Sequence, residues 1–466
     1  MHDITAMKKT LLLFLLGCWC ALLPAQTASL QGAWKGYLHL GTDSLALVLV
    51  VDNQDDSLTA VLDSPDQYVT DIPTTAFSLR GDTLSFAVAS LGASFRGVWR
   101  GDSIAGKFRQ NGRKFPLVLR PTTHRQLFPR PQEPQEPFPY QQCELSFPYH
   151  PDHQNIYGTL TLPETGRPKA AIVLISGSGW QDRDETVMAH KPFKLLADCL
   201  TRQGYAVFRY DDASPAAFQH MSTLDFAQQV HVIVDTLLQR ADLQGCQVGL
   251  LGHSEGGMVA WIVASQRHDL AFVISMAGMG TPLKEVLLYQ AAEGAVQQHL
   301  NVAMLQASLQ LSEEVYTLVE KSSNAATAAQ KVRERMHDHA EGLSNDQRAQ
   351  LNLTDEAIDV AVSTLTSHWF FTLMHLKPTQ YLKKVTCPVL ALNGDRDRQV
   401  DAVQNVYAIR DGLKRCPDFT PAILPGLNHL FQECETGYME EYGSIEQTLS
   451  PAFLEQVGKW LNERMK

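Results

Sequence analysis

The sequence predicts an α/β fold, a largely parallel sheet covered by helices, that follows a small antiparallel β domain. Short β-type runs separated by turn residues fill residues 28–121, which favours a small sheet or barrel. From residue 143 onward, apolar runs of strand length alternate with helical patterns, as in βαβ units whose parallel sheet is buried on both faces. Residues 282–384 are helical throughout, so we expect a helical cap inserted between two strands of that sheet.

The N-terminal residues 1–25 have the pattern of a secretory signal peptide. Lys8 and Lys9 precede an apolar run, and Ala25 provides a small residue for cleavage. The apolar run is too short for a stable membrane span. We therefore expect a secreted or periplasmic protein. In an alternative that fits the residues less well, the chain is anchored through a lipid on Cys18.

The β domain at residues 28–121 leaves two interpretations open. Its candidate core aromatic residues are Trp34, Phe95 and Trp99. The strands could enclose a cup-shaped ligand module, or the domain could serve only for packing, which is the favoured interpretation. A proline-rich segment at residues 122–142 then connects this domain, as an extended and semi-rigid spacer, to the α/β domain.

Composition and charge exclude several classes of function. The 466 residues carry a formal net charge of −11, and the sequence pI is near 5.8. No cluster of Lys and Arg and no basic stripe with interleaved aromatic residues is visible along the sequence, so binding to nucleic acid has no electrostatic support. The cysteines outside the signal peptide are scattered without C-x-x-C spacing, which argues against a zinc site. We expect neither a metal nor another cofactor.

A Gly-X-Ser-X-Gly motif at residues 252–256 is the strongest indication of chemistry. It lies between an apolar run of strand length and a stretch compatible with a helix, which is the context that a nucleophile elbow requires. Ser254 would stand at the tip of a very tight turn, in a strained backbone conformation. Gly252 and Gly256 lack a β-carbon, so the strand and the helix can approach each other beneath the serine. We predict Ser254 as the nucleophile.

A histidine and an aspartate follow later strands at matching positions. His429 comes in a loop after the last predicted strand, where such folds place the general base. The loop after the preceding strand offers two carboxylates, Asp395 and Asp397. We favour Asp397 as the acid that orients the histidine, because Asp395 beside Arg396 is more typical of a turn. The chain order Ser254, Asp397, His429 is the order of the α/β-hydrolase triad.

Backbone N–H groups beside Ser254 are the candidate oxyanion hole. Glu255, directly after the nucleophile, would supply one donor. The glycine-rich loop at residues 176–180 would supply the other, from Ser178 or alternatively from Gly179. The glycines permit close approach of the backbone to a developing alkoxide.

Aromatic residues near these loops are candidates for substrate binding. They are Trp180 in the glycine-rich loop and, at the end of the cap, Trp369 and Phe370. For two of the three aromatic residues 369–371, packing in the core is the favoured alternative. The dense charge run at residues 181–185 is interpreted as an ion-paired brace that could also shape the mouth of the pocket.

These motifs in combination resemble those of the bacterial EstD-type carboxylesterases of the α/β-hydrolase superfamily. The motifs stand at residues 176–179, 181–185, 252–257, 387–394, 397, 399–400 and 428–431. The resemblance covers residues 143–466, and the β domain in front is also similar to that of this group. It implies an α/β-hydrolase fold with a helical cap insertion, and hydrolysis of short-chain esters by Ser254, Asp397 and His429 without metal or cofactor. After Asp212 the family usually continues with Arg-Gly, whereas this chain has Ala-Ser-Pro, which puts the substrate preference in doubt.

We therefore predict a serine hydrolase that cleaves short-chain carboxylic esters through an acyl-enzyme intermediate. A peptidase or thioesterase with the same triad is the first alternative, since pocket shape decides the leaving group. The second alternative is a binding protein whose β domain captures a glycan or a lipid while the α/β domain is catalytically silent; the complete triad argues against it. The expected partner is a small-molecule ester, and the sequence indicates neither the natural substrate nor the oligomeric state.

Overall fold

The computed structural model describes residues 30–40, 43–54, 57–110, 112–123, 125, 127–149 and 154–465. The predicted signal peptide at residues 1–25 and the alternative lipid attachment at Cys18 lie outside these residues. The chain divides into two compact units, Met1–Leu127 and Phe128–Lys466. No helix in the described part of the chain combines the length and the apolar character needed to cross a membrane.

The first unit (the β unit) is one antiparallel sheet, with nine strands among the described residues. The strands are β1 (Gly32–Leu40), β2 (Asp43–Gln54), β3 (Ser57–Ser64), β4 (Val69–Pro73), β5 (Thr75–Arg80), β6 (Thr83–Val88), β7 (Ala93–Trp99), β8 (Ile104–Gln110) and β9 (Arg113–Thr122). Their order across the sheet is β4-β3-β2-β1-β9-β8-β7-β6-β5, and neighbours pair antiparallel. The small antiparallel domain that the sequence predicts is confirmed.

Side chains fill the inside of the β unit. Strand residues alternate between buried and exposed, as in β6 and β7, because successive side chains point to opposite faces of a sheet. Trp34, Phe86 and Phe95 are each 2% exposed and belong to one apolar core. Trp34 and Phe95 are thus core residues as predicted, whereas Trp99 is only half-buried at the end of β7. The core side chains occupy the space that a cup-shaped ligand module would keep open.

The second unit (the α/β unit) is built on an eight-stranded sheet. Its strands are β10 (Tyr140–Tyr149), β11 (Gln154–Pro163), β12 (Ala171–Ile175), β13 (Ala206–Tyr210), β14 (Val248–His253), β15 (Leu270–Met276), β16 (Val389–Gly394) and β17 (Phe419–Leu424). The order is β10-β11-β13-β12-β14-β15-β16-β17. Strands β10 and β11 form an antiparallel hairpin, β11 pairs antiparallel with β13, and the pairs from β13 to β17 are parallel.

Helices cover this sheet and form the cap. Those that connect or flank the strands are α1 (Pro192–Arg202), α2 (Pro215–Phe218), α3 (Thr223–Leu238), α4 (Glu255–Ala264), α12 (Ala402–Gly412), α13 (Met439–Tyr442) and α14 (Pro451–Arg464). Those inserted between β15 and β16 are α5 (Leu283–Gln297), α6 (Val302–Lys321), α7 (Ala325–Glu341), α8 (Asn345–Gln350), α9 (Asp355–Leu365), α10 (His368–His375) and α11 (Pro378–Leu382). This insertion is the predicted helical cap, and the architecture is that of an α/β hydrolase.

Burial of the parallel strands determines where the unit can carry polar chemistry. Every residue of β12, β13, β14, β15 and β16 is buried, and apolar clusters lie on both faces of the sheet. Polar groups are therefore confined to the loops at the strand ends. Because the carboxyl ends of parallel strands meet at one edge of the sheet, the loops after β12, β14, β16 and β17 converge there.

The segment that the sequence predicts as a spacer belongs in part to the α/β unit. Arg130 donates to the carbonyl oxygens of Met188 and Gly443 at 2.9 and 2.8 Å. The Glu133 carboxylate accepts from Lys191 and Lys194 at 2.7 and 2.8 Å. Prolines make such a segment extended, but the charged residues between them find partners on the neighbouring surface. The structure thus extends this unit to Phe128.

Candidate active site

Ser254 lies at the sharp turn between strand β14 and helix α4. Its backbone has φ 53° and ψ −117°, a region that residues with a side chain rarely occupy, so this residue is strained. A β-carbon on Gly252 would come within 2.1 Å of the Gly256 carbonyl oxygen, and one on Gly256 within 2.2 Å of the Ile175 oxygen. Both glycines are therefore sterically required, and the turn has the geometry of a nucleophile elbow.

His429 and Asp397 form a buried hydrogen-bonded pair. The imidazole Nδ1 of His429 donates to the Asp397 Oδ2 at 2.7 Å, with side-chain exposures of 5% and 0%. The other carboxylate oxygen of Asp397 accepts the backbone N–H groups of Gln399 and Val400 at 2.8 and 2.9 Å. With every carboxylate oxygen engaged, the aspartate has a fixed orientation and fixes that of the imidazole in turn.

The structure also separates the two candidate acids and places the histidine beside the turn. The Asp395 carboxylate accepts the backbone N–H of Gly426 at 2.6 Å and so joins two loops, which is the turn role expected of it. The ring of His429 lies 4.8 Å, between centroids, from the ring of His253, the residue before Ser254. The structure therefore brings Ser254, Asp397 and His429 to the same edge of the sheet.

The glycine-rich loop after β12 lies against the nucleophile turn. A β-carbon on Gly177 would stand 3.2 Å from the Ser254 Cβ. The Gly177 N–H donates to the Glu185 Oε1 at 2.8 Å, so it is not available to a substrate. In the described part of the chain no acceptor is bonded to the N–H groups of Ser178, Gly179 or Glu255, the three predicted oxyanion donors. These three N–H groups remain the candidate donors to an oxyanion.

The side chain of Glu255 has a role that its sequence position did not predict. Its buried carboxylate accepts the Thr223 hydroxyl at 2.7 Å, the Ser178 hydroxyl at 2.8 Å and the Trp369 indole N–H at 2.9 Å. These donors come from helix α3, the glycine-rich loop and the cap. Burial raises the pKa of Glu255 above its ordinary value, and the three hydrogen bonds oppose that rise. One carboxylate thus joins the cap to the candidate oxyanion loop.

A second buried pair, His253 and Glu185, supports the loop of His429. His253 Nδ1 lies 2.8 Å from the Glu185 Oε1, and its Nε2 lies 3.1 Å from the backbone oxygen of His429. Both partners have acceptor oxygens, so a protonated imidazole can donate to both of them. Burial opposes this charge, but the Glu185 carboxylate outweighs burial, and the pKa of His253 is raised. The charge run at residues 181–185 was the one signal for this pair in the sequence, but it did not indicate His253 as the partner of Glu185.

The rest of that charge run forms the predicted ion-paired brace. Arg183 binds the Asp211 carboxylate at 2.6 Å, and Asp184 pairs with the buried Arg209. Next to Asp211, Asp212 accepts the backbone N–H of Gln181 at 2.7 Å. Burial raises the pKa of Asp212 to about 7. These contacts attach the glycine-rich loop to the end of β13, at the point where the chain departs from the family pattern.

The three predicted substrate-binding aromatic residues lie in different environments. Trp180 is 49% exposed, and its indole donates to the Ala213 oxygen at 2.9 Å. Trp369 is half-buried and bonded to Glu255. Phe370 is buried in the apolar core, with its ring edge-on to Trp369 at 5.8 Å. The placement of Phe370 favours the packing alternative, and the binding role of Trp180 and Trp369 stays a prediction.

The described residues contain no grouping of potential metal ligands. Within residues 30–465, apart from the short gaps, no three His, Cys, Asp or Glu side chains are grouped so that they could hold a metal ion. The six cysteines of this part form no disulfide: Cys143, Cys199, Cys246, Cys387, Cys416 and Cys434.

The chain is similar in sequence to a known esterase and in structure to several hydrolases. It is 25% identical over 313 residues to Esterase EstD from Thermotoga maritima, and it spans 65% of the length of that relative. A dienelactone hydrolase from Anabaena variabilis is 15% identical with a TM-score of 0.40, and the match covers 70% of this chain and 100% of that one. The esterase Pf2001 from Pyrococcus furiosus is 12% identical with a TM-score of 0.41, covering 74% of this chain and 100% of that one.

A family model also matches a large part of the α/β unit. The model described as serine aminopeptidase, S33, matches residues 166–435, a range that starts before β12 and ends after His429. It thus includes Ser254, Asp397 and the glycine-rich loop. Because the match covers more than half of the 466 residues, the chain belongs to the serine aminopeptidase S33 family of α/β hydrolases.

Proposed function

We propose that the protein hydrolyses carboxylic esters with short acyl chains through an acyl-enzyme formed on Ser254. The observation that carries the proposal is the strained serine at the β14–α4 turn, beside a histidine whose other nitrogen is bonded to a buried aspartate. This is the arrangement by which serine hydrolases activate a hydroxyl that is otherwise a weak nucleophile. The similarity to an esterase supports the class of substrate.

The chemistry follows from the positions of the side chains. Asp397 holds the Nδ1–H of His429, which leaves Nε2 unprotonated and basic. Nε2 takes the proton of the Ser254 hydroxyl as its oxygen attacks the acyl carbon, and then returns the proton to the leaving alcohol. In the second half of the reaction, His429 activates a water that attacks the acyl carbon and releases Ser254. Asp397 stabilises the imidazolium present in both halves.

The oxyanion that forms in each half needs donors near Ser254. The N–H of Glu255 and that of Ser178 or Gly179 fill this role in the proposal, because they lie at the start of a helix and in a loop next to the serine. Glu185 supports this choice by engaging the neighbouring Gly177 N–H. The loop can therefore turn its next N–H groups toward the substrate.

A burst experiment with p-nitrophenyl acetate and butyrate tests the proposal. We expect wild type to release about one equivalent of p-nitrophenol per chain in the burst, followed by steady turnover. Ser254→Ala should abolish both. Ser265→Ala, at the other end of helix α4, is the matched control and should retain both. Turnover that survives in Ser254→Ala would exclude this serine as the nucleophile.

A peptidase with the same triad is the second candidate, because the matching family is described as serine aminopeptidase. An aminoacyl p-nitroanilide and the corresponding p-nitrophenyl ester share an acyl group and differ in the leaving group. An esterase should hydrolyse only the ester at a useful rate. Comparable kcat/KM values on the anilide would favour the peptidase, and faster turnover of an acyl thioester would favour a thioesterase.

The location of the protein and the alternative of a silent binding protein can be tested as well. We propose that residues 1–25 direct secretion or export to the periplasm. N-terminal sequencing of protein recovered from outside the cytoplasm tests this. We expect the mature chain to begin at Gln26, directly after Ala25. A silent binding protein would give no burst with any ester, anilide or thioester, although the strained Ser254 would then have no use.

A further inference from the structure

The register of the β unit creates a cluster of cations that is not visible along the sequence. Arg96 in β7 lies directly opposite Lys107 in β8, and Arg109 in β8 lies directly opposite Lys114 in β9. Lys107 and Arg109 are two positions apart in one strand, so all four side chains share one face. The backbones of the two partners in each opposed pair are then roughly 5 Å apart, and the two pairs are roughly 7 Å apart along the strand direction. We call these four residues the cation cluster.

The cation cluster carries no compensating charge. All four side chains are exposed, and in the described part of the chain none of the four takes part in an ion pair. The two acidic residues of residues 72–125, Asp82 and Asp102, lie in turns at the strand ends, against nine Lys and Arg in the same stretch. Like charges directly opposite each other on a sheet are destabilising. The molecule as a whole is acidic, so this local excess is not a property of its composition.

The cluster borders a trough on the same face of the sheet. The trough has a volume of about 670 Å³, and Arg96, Lys107 and Arg109 line it. Most of its other lining residues on this face are small or hydroxylated. Ala76, Ser94 and Ala105 are exposed, whereas Thr83, Ser85, Ala87 and Val98 are half-buried. Gly97 and Gly106, paired across β7 and β8, have no room for a side chain. The result is a shallow site with hydroxyl groups on its floor and cations along one edge.

We propose that this trough binds a compact group with several negative charges, of the phosphate type, held by the cation cluster. Arginine forks and lysine ammonium groups are the side chains that bind phosphate oxygens, and Ser85 and Ser94 offer hydroxyl donors beside them. Binding neutralises the opposed like charges, so the ligand removes the repulsion that the register imposes. The site lies in the β unit and its existence does not depend on the activity of Ser254.

Charge and shape favour a compact ligand over extended polyanions. The net charge of −11 repels a long nucleic acid or an anionic membrane surface outside the immediate cluster. The aromatic residues of the trough, Phe86 and Phe95, are 2% exposed, so no ring is available for base stacking. The trough also lacks the exposed Trp or Tyr that anchors proteins at a membrane interface. A phosphate monoester or a diphosphate fits four cations without these features.

Isothermal titration calorimetry of the full chain with inorganic pyrophosphate tests the site. We expect saturable binding that weakens as ionic strength rises. The double variant Arg96→Gln/Lys107→Gln should bind at least about ten-fold more weakly, because two charge-assisted contacts are lost. The matched control Lys383→Gln/Lys384→Gln removes the same charge from two exposed lysines of the α/β unit and should bind as wild type does.

Three results would overturn the proposal. One is the absence of saturable binding in wild type, and another is equal binding by wild type and by the Arg96→Gln/Lys107→Gln variant. The third is binding to anionic phospholipid vesicles without binding to pyrophosphate, which would make the face a membrane-contact surface instead. A thermal unfolding scan shows that each variant is folded; removing like charges from the sheet should not destabilise it.

Discussion

The two units of this chain carry their polar chemistry in different places. In the α/β unit the parallel strands are buried on both faces, so Ser254, Asp397 and His429 lie in loops at the strand ends. In the β unit one face of an antiparallel sheet meets solvent, and the cation cluster lies on the strands themselves. A sheet covered on both sides can offer functional groups only at its edge, whereas a sheet with a free face can offer them along its length.

The two units also treat buried or opposed charge differently. The α/β unit compensates the buried charges around its candidate site, as in the Glu185–His253 pair and the three donors on Glu255. The β unit leaves Arg96 and Lys107 facing each other without a counter-ion. Compensated charges fix geometry, which a catalytic site needs. Uncompensated charges favour an external ligand. Five substitutions probe this contrast.

The largest effect is expected at the carboxylate that holds His429. Asp397→Asn keeps the size of the side chain but presents a donor where Nδ1–H needs an acceptor, so the imidazole adopts the wrong tautomer. We expect kcat on p-nitrophenyl acetate to fall by about 10⁴-fold. Asp395→Asn is the matched control two residues away, and it should change kcat by less than about ten-fold, since Asp395 only joins two loops. Equal losses in the two variants would contradict the assignment of Asp397.

Glu255 should affect stability as well as activity. Glu255→Ala leaves the Trp369 indole and two hydroxyls without their acceptor in a buried site, which we expect to cost about 3 kcal/mol of unfolding free energy. The Ser178 loop also loses its tether, so kcat should fall. Urea unfolding and ester turnover measure the two effects. Thr236→Ala, which removes an exposed-side hydroxyl bonded within α3, is the comparison and should change neither by as much.

The charge of Glu255 can be separated from its hydrogen bonds by Glu255→Gln. Because the folded-state pKa is raised above 4.5, the folded chain binds a proton there more tightly than the unfolded chain. The stability linked to that proton is fully present below 4.5 and is lost as pH rises through the raised pKa. Gln does not ionise, so Glu255→Gln should be more stable than wild type at about pH 8, with a gap that closes toward about pH 4. A gap that is constant with pH would contradict the argument.

Glu185→Gln should lower stability chiefly at low pH. The raised pKa of His253 stabilises the fold fully below 6.5, and this stability is lost as pH rises through the raised pKa. Removing the Glu185 charge removes much of it, so we expect a loss of about 1–2 kcal/mol below pH 6.5 that shrinks at higher pH. Unfolding midpoints across the pH range measure this. A loss that grows with pH would show that His253 is neutral in the folded chain.

Much of the catalytic side of the comparison could be predicted from the sequence. The strands before Ser254 and Asp397 are short, fully buried apolar runs, a third strand precedes the loop of His429, and the glycines of the elbow mark the tight turn directly. The side-chain roles of Glu255 and His253 could not be predicted, because their partners are distant in the sequence. Trp369 lies 114 positions from Glu255, and Glu185 lies 68 positions from His253. Such pairs exist only once the cap and the glycine-rich loop have folded.

The cation cluster was missed for a different physical reason. In β8 the buried Phe108 separates Lys107 from Arg109, so this strand contains no run of basic residues. Only the pairing register places Arg96 and Lys114 beside them. Register depends on turn lengths and on which strands become neighbours, which sequence patterns specify weakly. The net charge therefore argues against nucleic acid, but it carries no information about a compact anion on one face of the β unit.

The smallest effect is expected when one cation of an opposed pair is removed. Lys107→Gln relieves the repulsion with Arg96 and keeps the length and flexibility of the side chain. We expect a gain of about 0.2–1 kcal/mol in the unfolding free energy at low ionic strength. High salt screens exposed charges, so the gain should vanish there. Lys383→Gln, on an exposed lysine of the α/β unit, should give no gain under either condition. Loss of stability on Lys107→Gln at low salt would mean that the cation has a favourable partner in the folded chain, and the contrast between the two units would then disappear.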